Sequence, residues 1–279
     1  KYRLDFSMGL NLTGRAKVYV DRSELKSYRF TLYHGYKVKQ VTDQTGAALD
    51  FRREHDYVTV TRGEAAVEYL CLEYTGKSPK YYSSYAGVCL PANFAYYPIP
   101  GYRELFKDSF YGFIDCSLPY DTAFDVRCSG RKQMYCNLAA RGDNHFAGNA
   151  RSITLLSGYY DTLKLNDTLV VYPKYADTEI RARIKKNMGT FTKEHRDIRT
   201  IFIMDADNLT PYEHLRSYDG YVVTNSMIDM EQSYFESQID ISKMDFYKTF
   251  VYYYNEKVDR EELEQLKQSE DPEEYLSLI

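Results

Sequence analysis

Five histidines are the residues of this 279-residue sequence best suited to hold a catalytic metal ion, and they are His34, His55, His145, His195 and His214. A common helical zinc site needs His-Glu-x-x-His, because imidazoles four residues apart share one helix face and the glutamate activates the bound water. No histidine here is followed by glutamate, and no two are four residues apart. We therefore predict no metal ligand and no cofactor. A metal site assembled from distant residues stays open as an alternative.

Nucleophilic and carboxylate chemistry finds no complete motif either. The Gly-x-Ser-x-Gly elbow is absent, and we interpret Ser157 as a turn residue. Asp205 with Asp207, or Glu213 with Asp219, could form a glycosidase pair, but 40 acidic residues make such pairs unavoidable. The segment that begins at Asp205 also lacks the glycine and the final glutamate of a calcium loop. The sequence therefore predicts no catalytic residue and assigns no binding residue.

The five cysteines are Cys71, Cys89, Cys116, Cys128 and Cys136. None has Cys-x-x-Cys spacing, so neither a zinc knuckle nor a redox motif is predicted. The odd number leaves at least one thiol unpaired. Two alternatives remain open. One is a disulfide, such as Cys128 with Cys136 across a hairpin, and the other is free buried thiols.

The charge balance excludes one class of partner. The net charge is −4, and the densest basic run, Arg181 to Lys186, reads as a short helical stretch. A nucleic-acid-binding protein needs a basic surplus to replace phosphate counterions, so we predict no nucleic-acid partner. No apolar run approaches the roughly 18 residues that span a membrane. Because the chain begins at Lys1, we expect a processed or excised chain whose membrane attachment, if any, lies in segments outside it.

The sequence contains 30 tyrosines and no tryptophan. Tyrosine suits half-buried strand positions, where the ring is buried and the hydroxyl reaches water or a polar partner. We interpret most of these residues as strand-filling tyrosines. A tyrosine-rich surface that binds carbohydrate or peptide is the alternative.

Hydrophobic periodicity predicts the elements that would position any site. Apolar residues alternate from Leu4 to Leu12, and the same face resumes at Ala16 and Val18, with a bulge or bend predicted at Gly14-Arg15. Further short strands follow at close spacing, separated by turn signals. After Pro173 the pattern becomes mixed. We predict a mostly β domain, a sandwich or saddle-like set of antiparallel sheets, over residues 1 to 174, and a smaller α/β region over residues 175 to 279.

Several local predictions can be checked directly. Tyr57–Thr61 and Ala65–Tyr74 are predicted to pair through a turn at Arg62-Gly63, and the hairpin at Asn166-Asp167 to join two later strands. A helix is predicted from Asp177 to Met188, where Gly189 would end it. Further helices are predicted over Ser242–Asn255 and after the caps at Asp259 and Asp271.

A series of short segments resembles the N-terminal domain of the aminopeptidase N family. The segments, in the family's order, are Val41-Thr42-Asp43 with Gly46 and Leu49-Asp50-Phe51, Leu70-Cys71-Leu72-Glu73-Tyr74-Thr75-Gly76, Gly87-Val88-Cys89-Leu90-Pro91, Tyr96-Tyr97-Pro98, Phe124-Asp125-Val126 and Ser157-Gly158-Tyr159. The resemblance spans roughly residues 4 to 174. It implies an all-β saddle that precedes a zinc peptidase domain, of which residues 175 to 279 resemble the start. Ile228-Asp229-Met230-Glu231-Gln232 matches the family's Gly-x-Met-Glu-Asn only in part.

The resemblance and the missing zinc motif together give two hypotheses for function. The first is a non-catalytic binding or scaffolding module with a peptide or protein ligand, located extracytoplasmically or at the cell surface, with the cytoplasm as the alternative location. Bacterial membrane proteins of the transporter-permease type carry ectodomains that resemble this family, and an excised ectodomain would fit. The second is the N-terminal fragment of an active zinc aminopeptidase whose metal site lies beyond residue 279.

Overall fold

The structure is a computed structural model that describes residues 1–9, 11–20, 25–63, 65–78, 87–92, 94–103, 116–204 and 215–224. The regular elements described in its first part are all strands. They are β1 (Tyr2–Met8), β2 (Leu12–Tyr19), β3 (Ser27–Thr31), β4 (Tyr36–Thr42), β5 (Phe51–Glu54), β6 (Tyr57–Thr61), β7 (Tyr69–Gly76), β8 (Gly87–Leu90), β9 (Ile99–Pro100), β10 (Thr122–Ser129), β11 (Gln133–Cys136), β12 (Ala139–Gly142), β13 (His145–Ala150) and β14 (Leu155–Gly158). The predicted mostly β fold class is confirmed.

A seven-stranded sheet with the order β12-β13-β10-β1-β2-β7-β4 forms the largest layer. All its neighbouring strands are antiparallel except β1 and β10, which are parallel. The alternation predicted from Leu4 onward places Leu4, Ala16 and Leu72 on the buried face. The alternate residues of the same strands form the opposite face.

The bend predicted at Gly14-Arg15 is wrong. Strand β2 runs through Gly14 in regular register with Phe6 on β1 and Tyr74 on β7, and β1 and β2 pair antiparallel from Met8 and Leu12. Gly14 is instead required by space, because a Cβ there would lie 2.6 Å from both Cε2 and Oη of Tyr74. The glycine marks a close approach of an aromatic ring to the backbone.

Two smaller sheets complete this part of the chain, one with the order β5-β6-β3-β9 and one with the order β11-β14-β8. The predicted hairpin of Tyr57–Thr61 with Ala65–Tyr74 is wrong, because β6 pairs with β3 and β5 whereas β7 pairs with β2 and β4. The tight turn lies one strand earlier, at His55-Asp56, where His55 has a φ of 50°. Histidine tolerates this left-handed conformation better than most residues, and aspartate favours turns.

Among the described residues, a second compact unit covers Thr162–Tyr172 and those from Ala176 onward. Its elements are β15 (Tyr160–Leu165) from Thr162 on, β16 (Thr168–Pro173) up to Tyr172, α1 (Thr178–Glu194), β17 (Thr200–Ile203), β18 (Leu215–Tyr218) and β19 (Tyr221–Thr224). Its sheet has the order β15-β16-β17-β19-β18, with parallel pairing from β16 to β19. The hairpin predicted at Asn166-Asp167 is confirmed, and Asn166 adopts the left-handed conformation that its turn requires. A core of Ile184, Met188 and Phe191 from α1 and Ile201 from β17 holds this unit together.

Helix α1 begins as predicted, with the Asp177 carboxylate accepting a 2.8 Å hydrogen bond from the amide of Ile180. Its predicted end is wrong, because the helix runs through Gly189 to Glu194. Burial of Phe191 in the core outweighs the roughly 1 kcal/mol that glycine costs inside a helix. The helices predicted after residue 241 and the segment Ile228–Gln232 lie outside the described residues. No helix among the described residues is long and apolar enough to cross a membrane.

Candidate binding face

The described histidines are dispersed over the fold. His34 and His145 each contact one carboxylate, with 2.9 Å between His34 Nδ1 and Asp56 Oδ1 and between His145 Nε2 and Asp125 Oδ1. His55 lies in the β5–β6 turn, and His195 caps the end of α1. Over the ranges that the structure covers, no three His, Cys, Asp or Glu side chains group to hold a metal ion. His214, Asp205, Asp207 and Glu213 lie outside those ranges, and Asp219 is exposed in the β18–β19 turn.

All five cysteines are free thiols, and all but Cys128 are buried. The alternative of free buried thiols therefore describes the structure, and Cys128 and Cys136 form no disulfide. Burial raises the pKa of the Cys128 thiol and of the Cys136 thiol to about 12. Ser157 is not a turn residue, because it lies inside strand β14 and is buried. The raised pKa makes Cys128 and Cys136 poor nucleophiles at neutral pH.

Many tyrosines fill the core, as the strand-filling interpretation predicts. The hydroxyl groups of Tyr2, Tyr74 and Tyr96 are buried and donate hydrogen bonds of 2.8 to 2.9 Å to the carbonyl oxygens of Pro98, Tyr96 and Ile153. Burial raises the pKa of Tyr74 well above its ordinary value. These partners satisfy the hydroxyl groups inside the core, so the residues serve packing rather than ligand binding.

The outward face of the seven-stranded sheet carries charged residues in place of an apolar layer. Across its centre, Arg127, Asp5, Arg15 and Glu73 lie side by side on β10, β1, β2 and β7. These four alternate in sign, and Arg15 Nε lies 3.3 Å from Glu73 Oε1. Opposite charges on neighbouring strands stabilise the pairing, so this row is largely self-neutralised.

The next row of the same face is different. Arg3 on β1 lies directly opposite Lys17 on β2, and Asp125 on β10 lies on the other side of Arg3. The Asp125 carboxylate is turned toward His145, at 2.9 Å, and Arg127, at 3.8 Å. Within the described part of the chain, neither Arg3 nor Lys17 forms an ion pair. Two cations therefore face each other across two strands without a carboxylate between them.

Two tyrosines lie in the row beyond Lys17, nearer the end of the sheet. Tyr19 and Tyr69 are opposite each other on β2 and β7, with ring centroids 5.2 Å apart. The Lys1 ammonium lies 4.9 Å from the Tyr19 ring centre, and the Lys17 ammonium lies 5.0 Å from that of Tyr69. We call Lys1, Arg3, Lys17, Tyr19 and Tyr69 the cation–tyrosine patch. Both rings are half-buried, so each presents part of its surface to solvent.

A second exposed group of this kind lies on the four-stranded sheet. Tyr57 and Tyr102 have ring centroids 4.5 Å apart, and the Arg29 guanidinium lies 5.4 Å from the Tyr102 ring centre. The Tyr102 hydroxyl is hydrogen-bonded to Thr59 Oγ1. Here one arginine faces the aromatic pair and no second cation lies opposite it, because its cross-strand neighbour is Thr59.

The fold is that of the N-terminal β domain of the M1 aminopeptidase N family, as the resemblance predicted. The chain is similar to yeast (Saccharomyces cerevisiae) leukotriene A4 hydrolase bound to bestatin, with a TM-score of 0.55 at 10% identity over 80% of this chain. It is also similar to an M1 zinc metallopeptidase from Deinococcus radiodurans, with a TM-score of 0.53 at 11% identity over 86% of this chain. An aminopeptidase N family protein from Idiomarina loihiensis gives a TM-score of 0.51 at 10% identity over 91% of this chain.

The chain covers 39% of the yeast hydrolase, 63% of the Deinococcus enzyme and 46% of the Idiomarina protein. It therefore spans less than two thirds of the length of each. No protein-family model and no curated protein sequence matches the chain. At identities near 10% the likeness establishes the fold, and function must come from the site.

Proposed function

We propose that this chain is a non-catalytic binding or scaffolding module, built on an aminopeptidase-N-like β domain, that takes a peptide or protein ligand. The observation that carries this proposal is the outward face of the seven-stranded sheet, where Arg3 and Lys17 lie together without carboxylate partners beside Tyr19 and Tyr69. Aromatic and arginine side chains are enriched at protein interfaces, where they bury large areas and donate directed hydrogen bonds.

The chemistry of the sequence agrees with a role in binding. None of its five histidines belongs to a His-Glu-x-x-His motif. The described histidine–carboxylate contacts, His34 with Asp56 and His145 with Asp125, lie in different parts of the first β unit and are not gathered into one constellation. The test is hydrolysis of aminoacyl reporter substrates by the purified chain with added zinc. We expect no turnover above that of buffer with zinc, and turnover that a chelator abolishes would overturn the proposal.

The second candidate is the N-terminal part of an active zinc aminopeptidase whose metal site lies beyond residue 279. The observation that favours it is the partial coverage of solved zinc metallopeptidases, of which the Deinococcus enzyme is covered over 63% of its length. Reading the coding frame beyond Ile279 separates the two candidates. A His-Glu-x-x-His helix followed by a glutamate ligand would favour the enzyme, and a frame that ends or continues without it would favour the binding module.

We further propose that the module works on the extracytoplasmic side or at the cell surface, held there by segments outside these 279 residues. Support comes from the expectation that such a β module accompanies bacterial membrane proteins of the transporter-permease type. Protease treatment of intact cells that produce the full-length tagged protein tests the location. Cleavage of the module in intact cells is expected, and protection until the cells are lysed would contradict an exposed location.

A further inference from the structure

We propose that the cation–tyrosine patch binds an acidic segment of a partner polypeptide, with carboxylates placed over Arg3 and Lys17 and neighbouring apolar atoms over Tyr19 and Tyr69. This inference rests on the proposed function as a binding module and names the chemistry of its ligand. Apart from Lys1, which precedes β1, the patch lies on three adjacent strands, β1, β2 and β7, of one sheet.

The first step is the like-charge pair. Arg3 and Lys17 are direct cross-strand neighbours, so their Cβ atoms are about 4.5–5.5 Å apart, and like charges in this arrangement destabilise a sheet. A bound carboxylate between them would convert repulsion into two attractive contacts. The Nε of Arg3 is also shielded from solvent without a hydrogen-bond acceptor. Because that Nε is shielded, an external carboxylate at this row would bind the terminal nitrogens of the guanidinium, which form no ion pair among the described residues.

The second step is the fate of the nearest carboxylate on the sheet. Asp125 lies next to Arg3 in register, yet its Oδ1 is 2.9 Å from His145 Nε2 and 3.8 Å from Arg127 Nε. The Asp125 carboxylate therefore contacts His145 on β13 and Arg127 on its own strand, and it forms no ion pair with Arg3. Among the described residues no carboxylate pairs with Arg3, so an external carboxylate would meet this cation unpaired.

The third step concerns the kind of anion. Asp5 and Glu73 lie in the adjacent row of the same face. Asp5 is two residues after Arg3 on β1, and Glu73 is two residues after Cys71, which pairs with Lys17. These acids repel a continuous polyanion such as a nucleic acid, whose binding requires several unopposed cations. A polypeptide can place carboxylates over Arg3 and Lys17 and neutral or basic groups over the acidic row. The exposed ring surfaces of Tyr19 and Tyr69 offer contact to its apolar atoms, which inorganic phosphate lacks.

The experiment measures fluorescence anisotropy of the chain with a fluorescein-labelled, end-blocked peptide of alternating glutamate and glycine. A matched peptide with glutamine in place of glutamate controls for backbone and label. The test variant carries both Arg3→Glu and Lys17→Glu. If circular dichroism shows that this double variant is unfolded, the single variant Lys17→Gln replaces it. The matched control variant is Arg29→Glu, which reverses the charge of another exposed cation over a tyrosine on a different sheet.

We expect the glutamate peptide to bind in preference to the glutamine peptide, more weakly as salt rises, and the double reversal to weaken binding by about tenfold or more. Lys17→Gln should weaken it by about twofold to fivefold, and Arg29→Glu by less than twofold. Equal binding of both peptides, a loss on Arg29→Glu alone, or tighter binding of phosphatidylserine vesicles or inorganic phosphate would overturn the patch as an acidic-peptide site. Selective binding that survives the patch variants would also overturn it, while leaving the binding module standing.

Discussion

Replacing Gly14 with alanine tests whether Tyr74 fixes β2 against β7, and thereby the strands that carry the cation–tyrosine patch. The new Cβ would lie 2.6 Å from Cε2 and Oη of Tyr74, well inside van der Waals contact. The Tyr74 ring cannot swing away freely, because it is 1% exposed and its hydroxyl donates a 2.9 Å hydrogen bond to the carbonyl of Tyr96. The clash must therefore displace the ring, the strand or both.

The expected magnitude combines three contributions. Overpacking a core costs about 1–3 kcal/mol. Loss of the Tyr74 hydrogen bond adds about 0.5–1.5 kcal/mol, and relief of the strand-glycine penalty returns about 0.5–1 kcal/mol. Together these contributions give about 0.5–4 kcal/mol, so we expect Gly14→Ala to lower the free energy of unfolding by about 2 kcal/mol. Urea unfolding followed by tyrosine fluorescence measures it, since the chain has 30 tyrosines and no tryptophan.

Two controls make this result specific. Gly142→Ala changes an exposed glycine of β12 whose added Cβ would meet nothing within 4 Å, so its unfolding free energy should match that of the wild type within about 0.5 kcal/mol. In a Tyr74→Leu background, Gly14→Ala should lose most of its cost, because the atoms that it meets are gone. A Gly14→Ala protein as stable as Gly142→Ala would refute the steric reasoning.

Three further predictions concern other parts of the chain. Hydrogen bonds, chiefly from the Thr45 hydroxyl, lower the pKa of Asp43 below its ordinary 3.8, so its contribution to stability is present above pH 3.8 and is lost as the pH falls through the folded-state pKa. The difference in unfolding free energy between wild type and Asp43→Ala should therefore shrink as the pH is lowered. A difference that stays constant in acid would contradict this. Asp177→Ala removes the cap of α1 and should cost about 1 kcal/mol in urea unfolding, with Glu179→Ala, an exposed change in the same helical turn, as the comparison. Ellman's reagent should react slowly with the native protein at pH 8, because four of the five thiols are buried and burial raises the pKa of Cys89, Cys128 and Cys136. In guanidinium all five thiols should react promptly. Five thiols that react promptly in the native protein would contradict their burial.

Local patterns in the sequence were enough to predict strands wherever apolar residues alternate, as from Leu4 to Val18. Turn chemistry was equally informative at Asn166-Asp167, where the residue types match the observed backbone. A strand without large apolar residues was not predicted. Strand β12 contains Ala139, Ala140, Arg141 and Gly142, all exposed, so no hydrophobic period marks it.

Pairing was harder to predict than strand position, because a period of two shows which face is buried and leaves the partner strand open. The Tyr57–Thr61 strand was therefore assigned to the wrong neighbour. The cation–tyrosine patch was missed for the same reason. Antiparallel pairing that starts with Met8 opposite Leu12 places Arg3 opposite Lys17, whereas a bend at Gly14-Arg15 does not predict that pair.

The most direct test of the central proposal incubates a defined peptide library with the immobilised, purified chain and added zinc. Mass spectrometry then identifies which peptides are retained and whether they are intact. Peptides retained on the immobilised chain should be enriched in glutamate and aspartate and should be recovered with their N-terminal residues intact. Peptides shortened from their N-termini, in a manner that a chelator prevents, would identify the chain as a peptidase and contradict its proposed role as a non-catalytic binding module.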